Sequence, residues 1–548
     1  MWVAIACFAM ELLALWGCNP VISFRYGTWM AILIIPAIFS LASNGILEEF
    51  NFKTSIPLVI IGLGLFVSIF LTVPAFHHKS MQKMLDVQQM SDSLAYIRDM
   101  AEIEPESMIL VDNELAMKYA EATLEQDPAT GSIYEIRDMS IQNLDGTFDV
   151  KLANGQKKTL TFHNEQVYVA PLEYRDFFKW RIKRRTPGYI LVSAQKQNVV
   201  YFVTEVEGKP LELRYMKTGY FRYSWDRHLR KCGYMNVRFE DPNIELDNHG
   251  RPYMVVPVVE NTSGYTCKDI TKVIIMDVQN GDVKDYTLDN LPQWVDRVFP
   301  SRLIEKRIKW WGKYKLGWWN AQFNQLEMQE QTPGIEQVYT NGSCFWYTGI
   351  QSIGKDDATS GFMLTDTRTG KSKYYLISGV NEEATRVNIN NCKIEENPTE
   401  IHVSRLLMYN IENVPTYVGT CKNNAGMLIG YALVSVKDRN VCGLGVSIES
   451  AYEAYSDAIT ANNLSGGALE GKVKNDQRLV VIKEIAQENK KYYFHFEGEE
   501  YQGKEFMCLS SISTELKWTH IADSVFVSFN EGKGKQISIV SFDNLRVN

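Results

Sequence analysis

The sequence predicts an α+β chain in which N-terminal transmembrane helices are followed by several small α+β modules and a C-terminal five-stranded β-barrel-like domain. Three observations predict it. Uncharged runs of membrane-spanning length crowd the region before residue 77 of a 548-residue chain. A strand ending in an Asp-led turn recurs through the middle, and five short strand segments fill the last stretch. The length, roughly three to four domains' worth, allows substantial cores without disulfide or metal staples. Fifty-seven Lys and Arg against 65 Asp and Glu give a net charge of −8, which argues against a whole-protein electrostatic grip on nucleic acid.

Residues 1–76 read as a transmembrane anchor of two to three helices. Ile56 to Phe76 carries no charge. At about 1.5 Å per helical residue it is long enough to cross a hydrocarbon core of roughly 30 Å. Thr28 to Ser43 is a second uncharged run, continuing through Gly45-Ile46-Leu47 to Glu48. Trp2 to Gly17 is apolar apart from Glu11 and has no basic residue ahead of it, so it reads as a short first span and not as a signal peptide. Arg25, Lys79 and Lys83 flank one side of the spans and Lys53 the other. That bias favours an inner-membrane, multi-pass protein with the large C-terminal part in the cytoplasm.

Residues 77–250 are expected to hold a helical stalk and a first α+β region. Val87, Met90, Leu94, Ile97 and Ala101 recur at helical spacing, and Glu114 to Gln126 reads as a helix stopped by Asp127-Pro128. Phe148–Leu152, the Asn154-Gly155 turn and Thr159–Phe162 read as a hairpin. Repeats follow at intervals of roughly 70 to 95 residues. One module is placed at 251–340, with Pro252–Val256 and then Val273–Val283 containing Asp277 and Asn280-Gly281. A second lies at 341–410, with Phe345–Thr348, then Gly361–Gly370 and Lys373-Tyr374-Tyr375. A degenerate third, at 411–470, has Asp438-Arg439-Asn440 without the glycine, and a helix over Ile448–Ile459. In such a turn Asp caps the backbone and Gly supplies positive φ.

The strand-Asp-x-x-Thr/Asn-Gly unit resembles the PepSY module, a small α+β domain of bacterial membrane and secreted proteins. The resemblance spans about 30 residues in each of two copies, and the third departs from it at the glycine. It implies a bacterial envelope protein with an interaction role. Many such modules face outside the cytoplasm, against the charge bias above.

Residues 471–548 read as a separate β domain. The strand candidates are Leu479–Ile485, Lys491–Phe496, Glu505–Leu509, Ser524–Phe529 and Gln536–Ser541, with a short helix at Ser513–Thr519. This fits an OB-like barrel and also other small barrels. Its 11 basic and 11 acidic residues lack the basic bias of a nucleic-acid platform.

The most unusual stretch runs from Trp294 to Asn320. It interleaves Trp294, Trp310, Trp311, Trp318 and Trp319 with Arg297, Arg302, Lys306, Arg307, Lys309, Lys313 and Lys315. Indoles favour the membrane–water boundary and cations attract anionic headgroups, so Arg302 through Trp319 form a candidate membrane-surface contact. The competing reading packs the tryptophans into a seam between modules. A second basic run, Lys179 to Arg185 around Trp180, reads as a solvated loop. No metalloprotease, nucleophile-elbow, P-loop or dinucleotide motif is present, and the eight histidines are scattered. No catalytic, cofactor-binding or metal-ligating residue is therefore assigned. The expected function is a non-catalytic scaffold that meets the lipid bilayer and a protein partner. The alternatives are a membrane-bound hydrolase or peptidase regulator, and a nucleic-acid-binding protein acting through the last barrel.

Overall fold

The computed structural model describes residues 21, 52–90, 95–96, 99–100, 103, 105–340, 342–353, 358–390, 400–462, 478–488, 491–510, 512–529 and 536–547. The spans expected at Trp2–Gly17 and Thr28–Ser43 lie outside these residues. The third is present as α1 (Phe52–Thr72), continued after a break at Val73 by α2 (Pro74–Gln82). Among the described residues this is the one helix long and apolar enough to cross a membrane, with mean hydropathy 2.5 over its best window.

The junction between α1 and α2 follows from proline chemistry. Pro74 has no N–H to give to the Phe70 carbonyl, which would otherwise be left unpaired. His77 Nε2 donates to that oxygen at 2.9 Å, and its Nδ1 faces the Ser263 hydroxyl at 3.0 Å. The next carbonyl, Leu71, accepts the Tyr265 N–H at 2.8 Å. The helix is thus held at its proline by the tip of a distant hairpin.

Contacts divide the chain into two compact units. The first comprises Met1–Gln88, Ile109–Asp356 and Met363–Tyr374; the second comprises Gln89–Met108, Asp357–Phe362 and Tyr375–Asn548. The first unit contains α3 (Asn113–Glu125), the long hairpin β1 (Ser140–Leu152) and β2 (Lys157–Pro171), α4 (Phe177–Lys183), β3 (Tyr189–Ser193) and β4 (Val200–Val206). Then come α5 (Trp225–Lys231), β5 (Asn243–Leu246), β6 (Pro252–Ser263), β7 (Cys267–Asp277) and β8 (Val283–Tyr286). These last four strands form an antiparallel run in sequence order. After α6 (Ser301–Lys313) and α7 (Gly317–Trp319), a third sheet contains β9 (Glu336–Thr340), β10 (Ser343–Ser352), β11 (Gly361–Asp366) and β12 (Lys371–Tyr375). The expected stalk helix is not formed at its start, because Asp86–Met90 is an edge strand of this third sheet. Non-local pairing there overrides the helical spacing of Val87 and Met90.

The β6–β7 ribbon is apolar on both faces because both are covered. Met254, Val256, Val258, Ile274 and Met276 join the core of β1–β4, whereas Val255, Val259, Val273 and Ile275 join Leu303, Ile304 and Ile308 of α6. Successive strand residues point to opposite faces, so two cores meet on one ribbon.

The second unit contains α8 (Glu382–Asn390), the meander β13 (His402–Ile411), β14 (Val414–Lys422), β15 (Leu428–Ser435) and β16 (Cys442–Gly445), and then α9 (Ile448–Ala461). The last five strands, β17 (Arg478–Glu488), β18 (Lys491–Phe496), β19 (Glu505–Leu509), β20 (Ser524–Phe529) and β21 (Gln536–Asn544), close into a barrel ordered β17-β18-β19-β21-β20. Its one parallel pair is β19–β21. A short 3-10 helix at Thr514–Trp518 precedes β20. The five strands close around Phe494, Phe506, Val525 and Val527, as the expected five-stranded barrel.

The repeat is set by a shared turn. Asp277 Oδ1 accepts the N–H groups of Gln279 and Asn280 at 2.7 and 3.4 Å, and its carbonyl accepts Gly281 N–H at 2.9 Å. Asp366 does the same for Arg368, Thr369 and Gly370, at 2.9, 2.8 and 2.9 Å. Gly281 and Gly370 have φ of 85° and 70°. In each turn the next carbonyl receives two N–H groups from an upstream segment: Val278 from Arg214 and Tyr215, Thr367 from Val298 and Phe299.

That arrangement recurs at β3, which the sequence does not signal. Ser193 Oγ accepts Gln195 and Lys196 N–H, and the Ala194 carbonyl receives Leu110 and Val111. At β15, Ser435 Oγ accepts Lys437 N–H and the Val436 carbonyl receives Val380. The described residues therefore carry four such turns. The degenerate copy is anchored at Ser435, and Asp438 caps only the turn that follows, through Asn440 N–H. The segments held by the carbonyls precede α3, α5, α6 and α8.

Candidate membrane-contact site

Pro300 starts α6 with φ already near the helical value. Leu303, Ile304 and Ile308 then recur at helical spacing and bury one face in the core shared with β6, β7 and β10. A second face turns to α2. Met81 of α2 packs with Trp310, Tyr314, Ala321, Met328 and Cys267, and Trp318 and Met84 border this cluster. The His78 and Tyr314 rings lie 6.2 Å apart. A Cβ at Gly312 would come within 2.1 Å of the Gln329 carbonyl, so only glycine permits that approach.

The sequence-predicted contact residues separate into three groups. Arg307 and Trp310 are buried, which removes them from any surface contact. Arg307 is only 3% exposed and donates to Asp269 Oδ1 at 2.7 Å and to the Lys268 carbonyl at 2.9 Å. Its guanidinium also stands 5.3 Å from the Phe299 ring centre. Here the interior holds the cation through one nitrogen, Nη2, which finds both acceptors, and through its plane, which finds a ring, while the buried Nε has no partner among the described residues. Trp311, Lys313 and Trp318 are half-buried; Trp311 meets Tyr374 edge-on at 5.4 Å. Arg302, Lys306, Lys309, Lys315 and Trp319 are exposed. Lys306 lies over the Trp310 ring at 4.7 Å, and partial burial, helped by the nearby Lys268 charge, holds its pKa below the ordinary lysine value.

Trp319 is 71% exposed and belongs to a ridge that charge-based reading misses. Leu316, Phe323 and Leu326 are likewise exposed, and Trp319 stacks on Phe323 at 5.3 Å while meeting Trp318 edge-on at 5.1 Å. The ridge is shaped by α7 and a π-turn over Asn320–Asn324. Asn320 fixes its far end: Nδ2 donates to the Leu326 carbonyl at 2.8 Å and Oδ1 accepts Leu326 N–H at 3.1 Å. Lys315, beside the ridge in sequence, pairs with Glu327 at 3.6 Å, and the ridge itself is made of apolar side chains.

Elsewhere, a buried carboxyl pair joins the modules of the first unit. Glu245 accepts the N–H groups of Asp296 and Arg297 at 2.7 and 3.1 Å, and Asp296 Oδ2 accepts Asn143 N–H at 2.6 Å. Burial and the neighbouring Glu245 push Asp296 up to about 8. Among the described residues no three His, Cys, Asp or Glu side chains are grouped to hold a metal ion. No protein-family model and no curated protein matches the chain.

Proposed function

We propose that the chain is a membrane-anchored, non-catalytic scaffold of a bacterial envelope, which presents its repeated modules to a protein partner close to the bilayer. The observation that carries the reading is the clamp at Pro74, where hairpin β6–β7 and helix α6 grip a helix of spanning length. A body tied so closely to its anchor is suited to holding a surface at a set height. The Asp-led turns, with their resemblance to PepSY modules, support the envelope placement. The uncharged runs before residue 52 make the anchor multi-pass, and the Arg25, Lys79 and Lys83 bias puts the body on the cytoplasmic side.

Fractionation tests the anchor: the intact chain is expected to stay in the membrane pellet through carbonate extraction, and release would overturn the reading. Protease added outside intact spheroplasts should leave residues after 77 uncut if they are cytoplasmic. Cross-linking in cells, followed by purification in mild detergent, should yield one stoichiometric protein partner. Recovery of the chain alone, with hydrolase turnover, would replace the scaffold with an enzyme.

A further inference from the structure

We propose that the ridge of Leu316, Trp319, Phe323 and Leu326 is a second membrane contact, seated in the headgroup–acyl boundary beside the helix. The inference rests on the membrane-anchored reading above. Height is the first argument. Phe76 is the last apolar residue of the uncharged run and is itself exposed, and His78 follows it on α2. The His78 ring neighbours Tyr314, and its Nε2 lies 4.0 Å from where a Gly317 Cβ would stand. Leu316 and Trp318, which flank Gly317, are therefore held at the level where the membrane helix leaves the hydrocarbon.

Rigidity is the second argument. The Tyr265–Leu71 and Ser263–His77 hydrogen bonds fix the body to the α1–α2 junction on one side, and Met81 packs with Trp310 and Tyr314 on another. A body so clamped cannot carry the ridge away from the bilayer without breaking buried contacts. The third argument is chemistry. Four large apolar side chains lie open, their backbone closed by Asn320, and Phe70 of α1 and Phe76 of α2 are exposed as well, with rings 4.9 Å apart. Indole and phenyl rings favour the interface, and a tethered surface needs little intrinsic affinity to stay there. Because Lys315 is engaged by Glu327, the contact is governed by apolar insertion and not by headgroup charge.

The test uses the full chain reconstituted in phosphatidylcholine vesicles with lipids brominated at shallow or deep acyl positions. The fluorescence difference between the wild-type chain and Trp319→Phe isolates one indole, since the other tryptophans cancel. The phenyl ring preserves the stack on Phe323, so folding is retained. The difference signal is expected to be quenched more by shallow than by deep bromines, equally with and without anionic lipid, and to resist aqueous iodide. Quenching by iodide alone would overturn the proposal. Protection from iodide that grows only with protein-to-lipid ratio would overturn it too, by assigning the ridge to a second copy of the chain. Carbonate extraction of the same vesicles separates the outcomes, because a released chain would mean failure of the anchor and not of the ridge.

Discussion

Trp310 and Trp319 carry the same ring in opposite surroundings, and their substitution separates core from contact. Trp310 fills the cluster with Met81 and Tyr314, so Trp310→Ala should cost about 3–5 kcal/mol of stability. Trp319→Ala leaves no cavity and should change unfolding in detergent by no more than about 0.5 kcal/mol. Denaturant titration of the two variants checks the contrast. Asp296 gives a prediction in pH. Its folded pKa of about 8 lies above the ordinary carboxylate value, so its contribution is fully present below that ordinary value and is lost as pH rises towards 8. The wild-type melting temperature should therefore fall as pH rises from the ordinary value of 3.8 to about 8 and level off above it. Asp296→Asn keeps an acceptor for Asn143 N–H and should flatten that fall; an unchanged slope would place the titration elsewhere. Sequence alone could not sort these residues. Arg307 reads as one more surface cation until Asp269 and the Lys268 carbonyl are brought to it by β7.

At the scale of elements, the turns obey chemistry that is partly legible. Asp277 and Asp366 with their glycines are visible as turn signals, and the hairpins follow. Ser193 serves the same two N–H groups and Ser435 the first of them, both without a glycine, so the pattern of residue types hides these turns. The hydrogen bonds, not the letters, repeat. Asp366→Ala should cost about 1 kcal/mol through loss of its two accepted N–H groups, whereas Ser193→Asp should be tolerated. Thermal unfolding distinguishes the two, and a Ser193→Asp loss as large as that of Asp366→Ala would break the equivalence. Three of the barrel strands, β18 to β20, were legible to the residue because each is short and bounded by polar turns, whereas β17 and β21 each run three residues past their expected ends. Residues 86–90 were not, since Val87 and Met90 suit either a helix face or an edge strand and only the sheet decides.

At the scale of the molecule, one joint decides the arrangement: Pro74 frees two helix carbonyls, of which Leu71 is met by Tyr265 of the body and Phe70 by His77 of α2, itself held by Ser263. The spanning helix was legible from its missing charges, but its grip was not, because Ser263 and Tyr265 lie far along the chain and form no motif with His77. Gly264 permits that grip, with φ of 58° and room for no Cβ, which would meet the Leu71 oxygen at 2.3 Å. Hydrogen exchange on the full chain in lipid nanodiscs measures the joint directly. The Tyr265 amide should exchange slowly in the wild-type chain, and Gly264→Val should release it while the amides of α1 stay protected by helix and lipid. Exchange of Tyr265 in the wild-type chain as fast as that of an open turn would contradict the clamp and, with it, a body held at fixed height on the membrane.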